Sequence, residues 1–343
     1  MAHPLPKEDL EHVLAHTRPL WETFRGGKIF VTGATGFFGI WLLESFAFAN
    51  KNLNLGASLV GLSRDPDDFY AKVPHMAQES SIALHRGDVR DFDFPRGSFT
   101  HVIHAGTTFS APVLPSEMLD TIIRGTKRTL EFAVTAGAKR FLFVSSGAVY
   151  GKQPSKMTHI PETYLGSPDP MDPNSVYGEG KRVGELLCAI AHQETGLEVT
   201  IARCFAFVGP HLSLDAHFAV GNFMRDALRG GPILIKDGSP CRSYLYAADL
   251  AIWLWTILFR GGTHGAYNVG SEKEVSILEL ASLVARIVGA NLTVKISQPL
   301  IGATKSSRCV PNCQRARRDL NLRENVALPD AINKTVRWLD WPR

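Results

Sequence analysis

Long hydrophobic runs are missing from this sequence. The apolar stretch Leu250–Phe259 ends at Arg260 and two glycines, well short of the roughly 20 residues a membrane-spanning helix needs. No membrane association is therefore expected. The N-terminus has no charged start followed by an apolar core, so a signal peptide is not expected either and a cytoplasmic location is. Cysteine is sparse: Cys188, Cys204, Cys241, Cys309 and Cys313 are the five in 343 residues, and only the last two lie near each other. That spacing gives neither a disulfide framework nor a metal-ligand set. Free thiols and no bound metal are the expectation. Dense charge is also lacking. The net charge is +4, and the basic residues are scattered apart from Arg315, Arg317 and Arg318. This excludes a nucleic-acid surface but suits small anionic ligands. Internal repeats and low-complexity tracts are absent.

What is present is a regular alternation. Apolar runs at Ile29–Thr32, Ala57–Leu62, Ile82–Arg86, His101–His104, Arg140–Ser145 and Val199–Arg203 read as strands. Most are continuously hydrophobic, as strands covered on both faces must be. Helical patterns at Phe37–Ala49, Ser116–Ala136 and Tyr177–Glu194 separate them. Strand alternating with helix predicts an α/β fold with a doubly wound parallel sheet, spanning residues 28–203 and joined by part of 244–262. After Arg203, helices at His217–Leu228, Ala248–Phe259 and Ile277–Val288 alternate with short strands at Ile233–Lys236, Ala266–Val269 and Thr293–Ile296. These predict a smaller C-terminal α/β lobe over 204–343. Residues 1–27 read as an unstructured lead, at Pro4 and Pro6, followed by a short helical arm interrupted by Pro19.

Three stretches carry chemistry. The first is KIFVTGATGFFG, Lys28 to Gly39, a strand running through a glycine-rich turn into a helix. Gly33 permits the tight turn. Gly36 lets the backbone approach a diphosphate, and Gly39 lets the helix lie close on the sheet. Thr35, Phe37 and Phe38 complete the turn, and the first helical N–H groups face the phosphate. The second is Tyr177 and Lys181, four apart and so on one helix face. A lysine ammonium beside a phenol, together with a positive nicotinamide ring, favours phenolate and makes it usable as a base. The third is FVSSGAVYG, Phe143 to Gly151, at a strand end where side chains meet a ligand. Ser146 there can hydrogen-bond a reacting hydroxyl or carbonyl and align it with Tyr177.

Together these stretches resemble the extended short-chain dehydrogenase/reductase family, which holds nucleotide-sugar epimerases, dehydratases and 4-ketoreductases, over roughly residues 28–340. The resemblance implies NAD or NADP as cofactor and a nucleotide-diphosphate sugar as substrate. It implies Ser146, Tyr177 and Lys181 as the catalytic set, with Lys181 also on the nicotinamide ribose. Further cofactor contacts are implied at Asp88 and Val89 in GDVRD, at Ala105, Gly106 and Thr108 after HAG, and at Ser145, Cys204 and Phe205. Substrate contacts are implied at Ser146, Ala206, Asn222, Arg242 and Arg308, the two arginines on phosphate. YGEGKRVGELL is especially similar to UDP-glucuronate decarboxylases and dTDP-glucose 4,6-dehydratases. A homodimer through the Tyr177 helix and the helix before it is a further implication.

The departures narrow the chemistry. Dehydratases of the family carry Asp-Glu directly after the Ser/Thr, and the decarboxylases keep a Glu there; here stand Gly147 and Ala148. Neither can move a proton, so simple oxidation–reduction at C4 is expected, as a 4-epimerase or a 4-ketoreductase. A catalytically idle NAD(P)-binding regulatory protein is the alternative outside enzymes. Where NAD-binding folds place an acid, this chain has Ser63 followed by Arg64. Arg64 can pair a 2′-phosphate and favour NADP, unless Asp65 takes the acid's role by a register shift. Family asparagines are replaced by Ile122 and Ala206, which implies an altered sugar pocket. His211 and His217 read as exposed loop residues.

Overall fold

The computed structural model describes residues 3–107, 113–216, 218–263, 265–289, 292–297 and 307–339. Its strands are β1 (Lys28–Thr32), β2 (Ser58–Ser63), β3 (Ile82–Arg86), β4 (His101–His104), β5 (Arg140–Ser146), β6 (Glu198–Cys204), β7 (Phe207–Val208), β8 (Ile233–Ile235), β9 (Cys241–Arg242), β10 (Leu245–Tyr246), β11 (Ala266–Val269), β12 (Val275–Ser276), β13 (Val294–Ile296) and β14 (Arg308–Cys309). Its helices are α1 (Lys7–Trp21), α2 (Phe37–Leu53), α3 (Pro66–Lys72), α4 (Pro115–Thr135), α5 (Val176–Thr195), α6 (Ala219–Leu228), α7 (Ala247–Arg260), α8 (Ile277–Val288), α9 (Gln314–Leu320) and α10 (Leu328–Leu339).

Seven strands form one parallel sheet in the order β11-β6-β5-β4-β1-β2-β3. Alternate residues of each strand feed opposite layers. Ile29, Val31, Leu142 and Val144 point toward α1, α2 and α7, where Trp21, Trp41 and Trp255 are fully buried. Phe30, Phe141 and Phe143 point the other way, against Phe132 of α4 and Cys188 of α5. Continuous apolar strands are thus required by a sheet covered on both faces.

The sequence reading is corrected at three places. Ala266–Val269, expected in the smaller lobe, is the edge strand of the main sheet, paired with β6. The reason is α7, buried almost throughout, which can only cover the sheet by carrying the chain back to its edge. The lead around Pro4 and Pro6 is packed: Leu5 is buried and donates its backbone N–H to Glu44. The helical arm then runs unbroken through Pro19, which falls in its last turn. The side chain of His211 is 4% exposed, 3.8 Å from Glu44 and against Trp338, so it is no surface histidine. His217 lies outside the described residues. What remains of the C-terminal lobe is α6 and α8 with the strand groups β13-β8 and β12-β9-β14.

Candidate active site

Gly33 leaves β1 with φ +70°, and an added Cβ would stand 2.6 Å from the Ala105 carbonyl oxygen after β4. At Gly39 a Cβ would meet Ala34 O at 2.2 Å. These two glycines are demanded by the chain's own packing. Gly36 is different: a Cβ there would approach only Gly33 O, at 3.4 Å. The protein alone does not need glycine at that position, whereas a diphosphate drawn against the backbone does. Gly36 caps α2 without a side-chain bond, and its first turn holds no acidic residue. The N–H groups of Phe37, Phe38 and Gly39 are therefore presented uncapped for an anion. Phe38 packs edge-on against Phe207 at 5.1 Å and so ties this turn to the strand β7 beyond β6. The donor set and the glycine contour fit a dinucleotide.

The neighbouring loop is locked by a chain whose polarity can be worked out. Thr126 donates to Ile122 O at 2.7 Å, so its hydroxyl must accept from Nε2–H of His104 at 3.1 Å. Burial pushes His104 down to about 3, so the ring is neutral and its Nδ1 accepts from Thr32 at 2.6 Å. The Thr32 oxygen in turn accepts from Gly106 N–H at 3.1 Å. Ala105 and Gly106 are thereby fixed beside Gly33. Thr108 lies outside the described residues. Val89 packs under Gly106 and Gly125. Asp88 is held by Arg90 at 2.8 and 3.0 Å, a hydrogen-bonded pairing that keeps its carboxyl below the usual range.

At the end of β2, Ser63 is buried and its hydroxyl accepts from Asp65 N–H. Asp65 caps α3 and also meets Arg86. The carboxylate is thus engaged where a register shift would have freed it. Arg64 is exposed, and its side chain has no hydrogen-bond partner among the described residues.

Ser146 ends β5, and its hydroxyl accepts from Ala148 N–H at 3.1 Å as the 3₁₀ turn Gly147–Tyr150 begins. The same hydroxyl is hydrogen-bonded to the phenol of Tyr177, near the start of α5. Lys181, one turn on, donates to Val144 O at 2.8 Å, its ammonium 4.9 Å from the Phe143 ring and 6.0 Å from the Tyr177 ring. Helix and strand come this close because Gly184 faces Phe143, where a Cβ would lie 2.5 Å from the ring. The three catalytic candidates therefore converge. Their electrostatics are set by burial. Burial pushes Lys181 down to about 8 and raises the Tyr177 phenol well above its ordinary value, against the lowering pull of Ser146. The lysine alone does not produce phenolate here; desolvation wins.

Phe205 lies over the turn, and a Cβ on Gly147 would stand 2.8 Å from its ring. Cys204 is buried, its thiol pushed up by desolvation. Ala206 O accepts from Leu245 N–H, just before β7 pairs with β10. Asn222 spends both amide hydrogens on Leu214 O and Ala216 O, which leaves only its side-chain oxygen for a ligand. Arg242 and Arg308 sit on paired strands β9 and β14. Arg242 donates to Cys241 O and Ser307 O, and Arg308 forms a two-pronged pair with Glu274 at 2.6 and 3.1 Å.

Sequence reading missed what stands behind the catalytic set. The hydroxyl of Ser145, expected beside the cofactor, donates to Glu185 of α5 at 2.5 Å. Glu185 also pairs with Arg203 at 2.6 Å. A signal existed: Glu185 continues the series Tyr177, Lys181 at four-residue spacing on one helix face.

Comparison with known proteins gives the family and the fold. UDP-glucuronic acid decarboxylase 6 of Arabidopsis thaliana is 30% identical over 78% of this chain and 76% of its own length. UDP-glucuronic acid decarboxylase 1 of Xenopus tropicalis is 26% identical over 91% of this chain and 72% of its own. In fold, the chain matches UDP-glucose 4-epimerase of Thermotoga maritima with a TM-score of 0.75 at 23% identity, over 91% of this chain and 98% of that one. UDP-glucuronic acid 4-epimerase from Bacillus cereus, solved with NAD, gives the same TM-score, identity and coverage. The model of the NAD-dependent epimerase/dehydratase family matches residues 29–270, a span that takes in the glycine turn, Ser146 and the Tyr177 helix alike, and the chain is a member of that family.

Proposed function

We propose that the protein carries out NAD(P)-dependent oxidation–reduction at C4 of a nucleotide-diphosphate sugar, as a 4-epimerase or 4-ketoreductase. The observation that carries this reading is the convergence of Ser146, Tyr177 and Lys181 beside a turn that offers no carboxylate at 147 or 148. A nicotinamide held there would supply the hydride acceptor and donor for C4. Ser146 orients the C4 oxygen. Tyr177 takes the hydroxyl proton during oxidation and gives one back during reduction. Its buried phenol needs positive charge nearby to ionise, and Lys181 supplies one cation while the oxidised nicotinamide ring brings another. Gly36 with the first turn of α2 would hold the pyrophosphate. Arg242 and Arg308 would hold the diphosphate of the sugar nucleotide, Arg308 by exchanging Glu274 for phosphate.

A decarboxylase is the second reading, favoured by the decarboxylase relatives at 26–30% identity. It lacks a proton-transferring side chain at 147 or 148. Arg64, whose exposed side chain makes no hydrogen bond among the described residues, supports NADP; the family's description supports NAD. We further read the protein as a cytoplasmic homodimer, supported by free cysteines and by Leu186 and Ile190, exposed four apart on α5. Among the described residues no helix is long and apolar enough to cross a membrane. Mass spectrometry of the cofactor released on denaturation tests the reading and divides it. Tightly held NAD marks a redox cycle closed within the enzyme, and preferential NADPH binding marks a ketoreductase. No affinity for either cofactor removes the proposal.

A further inference from the structure

A largely buried chain of hydrogen bonds leads from α5 to the segment that follows Arg308. Glu185 of α5 receives Ser145 and the fork of Arg203. Arg203 donates its remaining arm to the phenol oxygen of Tyr150 at 2.9 Å. Tyr150 donates onward to Asn268 Oδ1 at 2.8 Å. Asn268, fully buried in β11, donates to Ile160 O at 2.8 Å and to Asn312 O at 3.0 Å. Ile160 is bonded on both sides to the same segment, giving its N–H to Val310 O and accepting from Asn312 N–H. Arg308 lies two residues before Val310.

The position of Tyr150 gives this chain its meaning. It closes the 3₁₀ turn that opens directly after Ser146. Its phenol is therefore the point where the catalytic turn is registered against the segment that follows Arg308. A nucleotide-diphosphate sugar must span these two regions, its phosphates at the arginines and its C4 at Ser146 and Tyr177. We infer that Tyr150 and Asn268 are positioning residues, setting the distance between the diphosphate arginines and the catalytic turn so that binding of the nucleotide half is transmitted to the sugar half. This rests on the nucleotide-sugar reading above. Neither residue touches the reacting atoms.

Tyr150→Phe keeps the ring and removes the two bonds at the centre of the chain. The direct readout is amide hydrogen exchange on adding UDP, with dTDP as a second probe. In the wild type, nucleotide should slow exchange both in 307–312 and in 146–151. In Tyr150→Phe the slowing should be confined to 307–312, with nucleotide and NAD affinities changed less than about threefold. Turnover should fall about tenfold or more, because small misplacements at a reacting centre cost rate steeply. Asn268→Ser cuts the chain one step further on, and should show the same split if Tyr150→Phe does not fold. Equal slowing of both segments in the variant and the wild type would overturn the inference while leaving the nucleotide-sugar reading intact. Failure of the wild type to bind either nucleotide would overturn that reading, and the inference with it.

Discussion

The carboxyl end of β5 and the arginine strands β9 and β14 serve the same proposed substrate but are built differently. At β5 the functional groups are desolvated and held by bonds to backbone: Lys181 is 2% exposed and fixed to Val144 O. At the arginine strands they are partly open to solvent and engaged by partners a ligand must displace, Glu274 on Arg308 above all. Chemistry that depends on a shifted pKa needs the first environment. Recognition of a diphosphate tolerates the second, since a charge can be exchanged for a charge at low cost near water.

Changes at the buried end should therefore be the costly ones. Tyr177→Phe removes the group proposed to move the proton, and kcat should fall about 10³-fold with nucleotide affinity retained; steady-state kinetics beside calorimetry with UDP would show the split. Gly33→Ala places a Cβ in the left-handed region and against Ala105 O. A loss of stability on the order of 2 kcal/mol is expected, with weakened cofactor binding, by chemical denaturation and NAD titration. Lys181→Met sharpens the contrast through pH. Because burial lowers the folded-state value to about 8 from 10.5, the unfolded chain binds more protons between these values, and wild-type stability gains from this group as pH rises through them. The variant should lack a gain on the order of 2–3 kcal/mol in that window, visible in denaturation curves at pH 8 and pH 10, and should lose turnover as well. The smallest effect belongs to the exposed end. Glu274→Gln frees Arg308 and should tighten UDP binding by about threefold; weaker binding would mean that the pair holds Arg308 in its productive place.

The same division decided what the sequence revealed. Tyr177 and Lys181 share a helix face by local spacing, and Gly33 to Gly39 form one strand–turn–helix, so four-residue and three-residue intervals were enough to read them. That strands β1 to β6 form a doubly wound parallel sheet followed from their alternation with helices and their continuous apolar runs. Residues joined across long separations were not legible. Tyr150 meets Asn268 over 118 positions, and Glu185 meets Arg203 on a different element. Ala266–Val269 was assigned to the wrong layer because a short apolar strand does not state which sheet it completes. The burial that raises the Tyr177 phenol was not legible for a related reason: spacing shows which charge is near but not how completely water is excluded.

The central claim is redox at C4 without loss of carbon from the sugar. It is tested most directly by nuclear magnetic resonance of the product formed from UDP-glucuronic acid labelled with ¹³C at the carboxyl carbon, with NAD present. Turnover should invert C4 and keep the label in the sugar. Release of labelled carbon dioxide with a UDP-pentose, in step with substrate consumed, would contradict it and show that this site decarboxylates without an acid at 147 or 148.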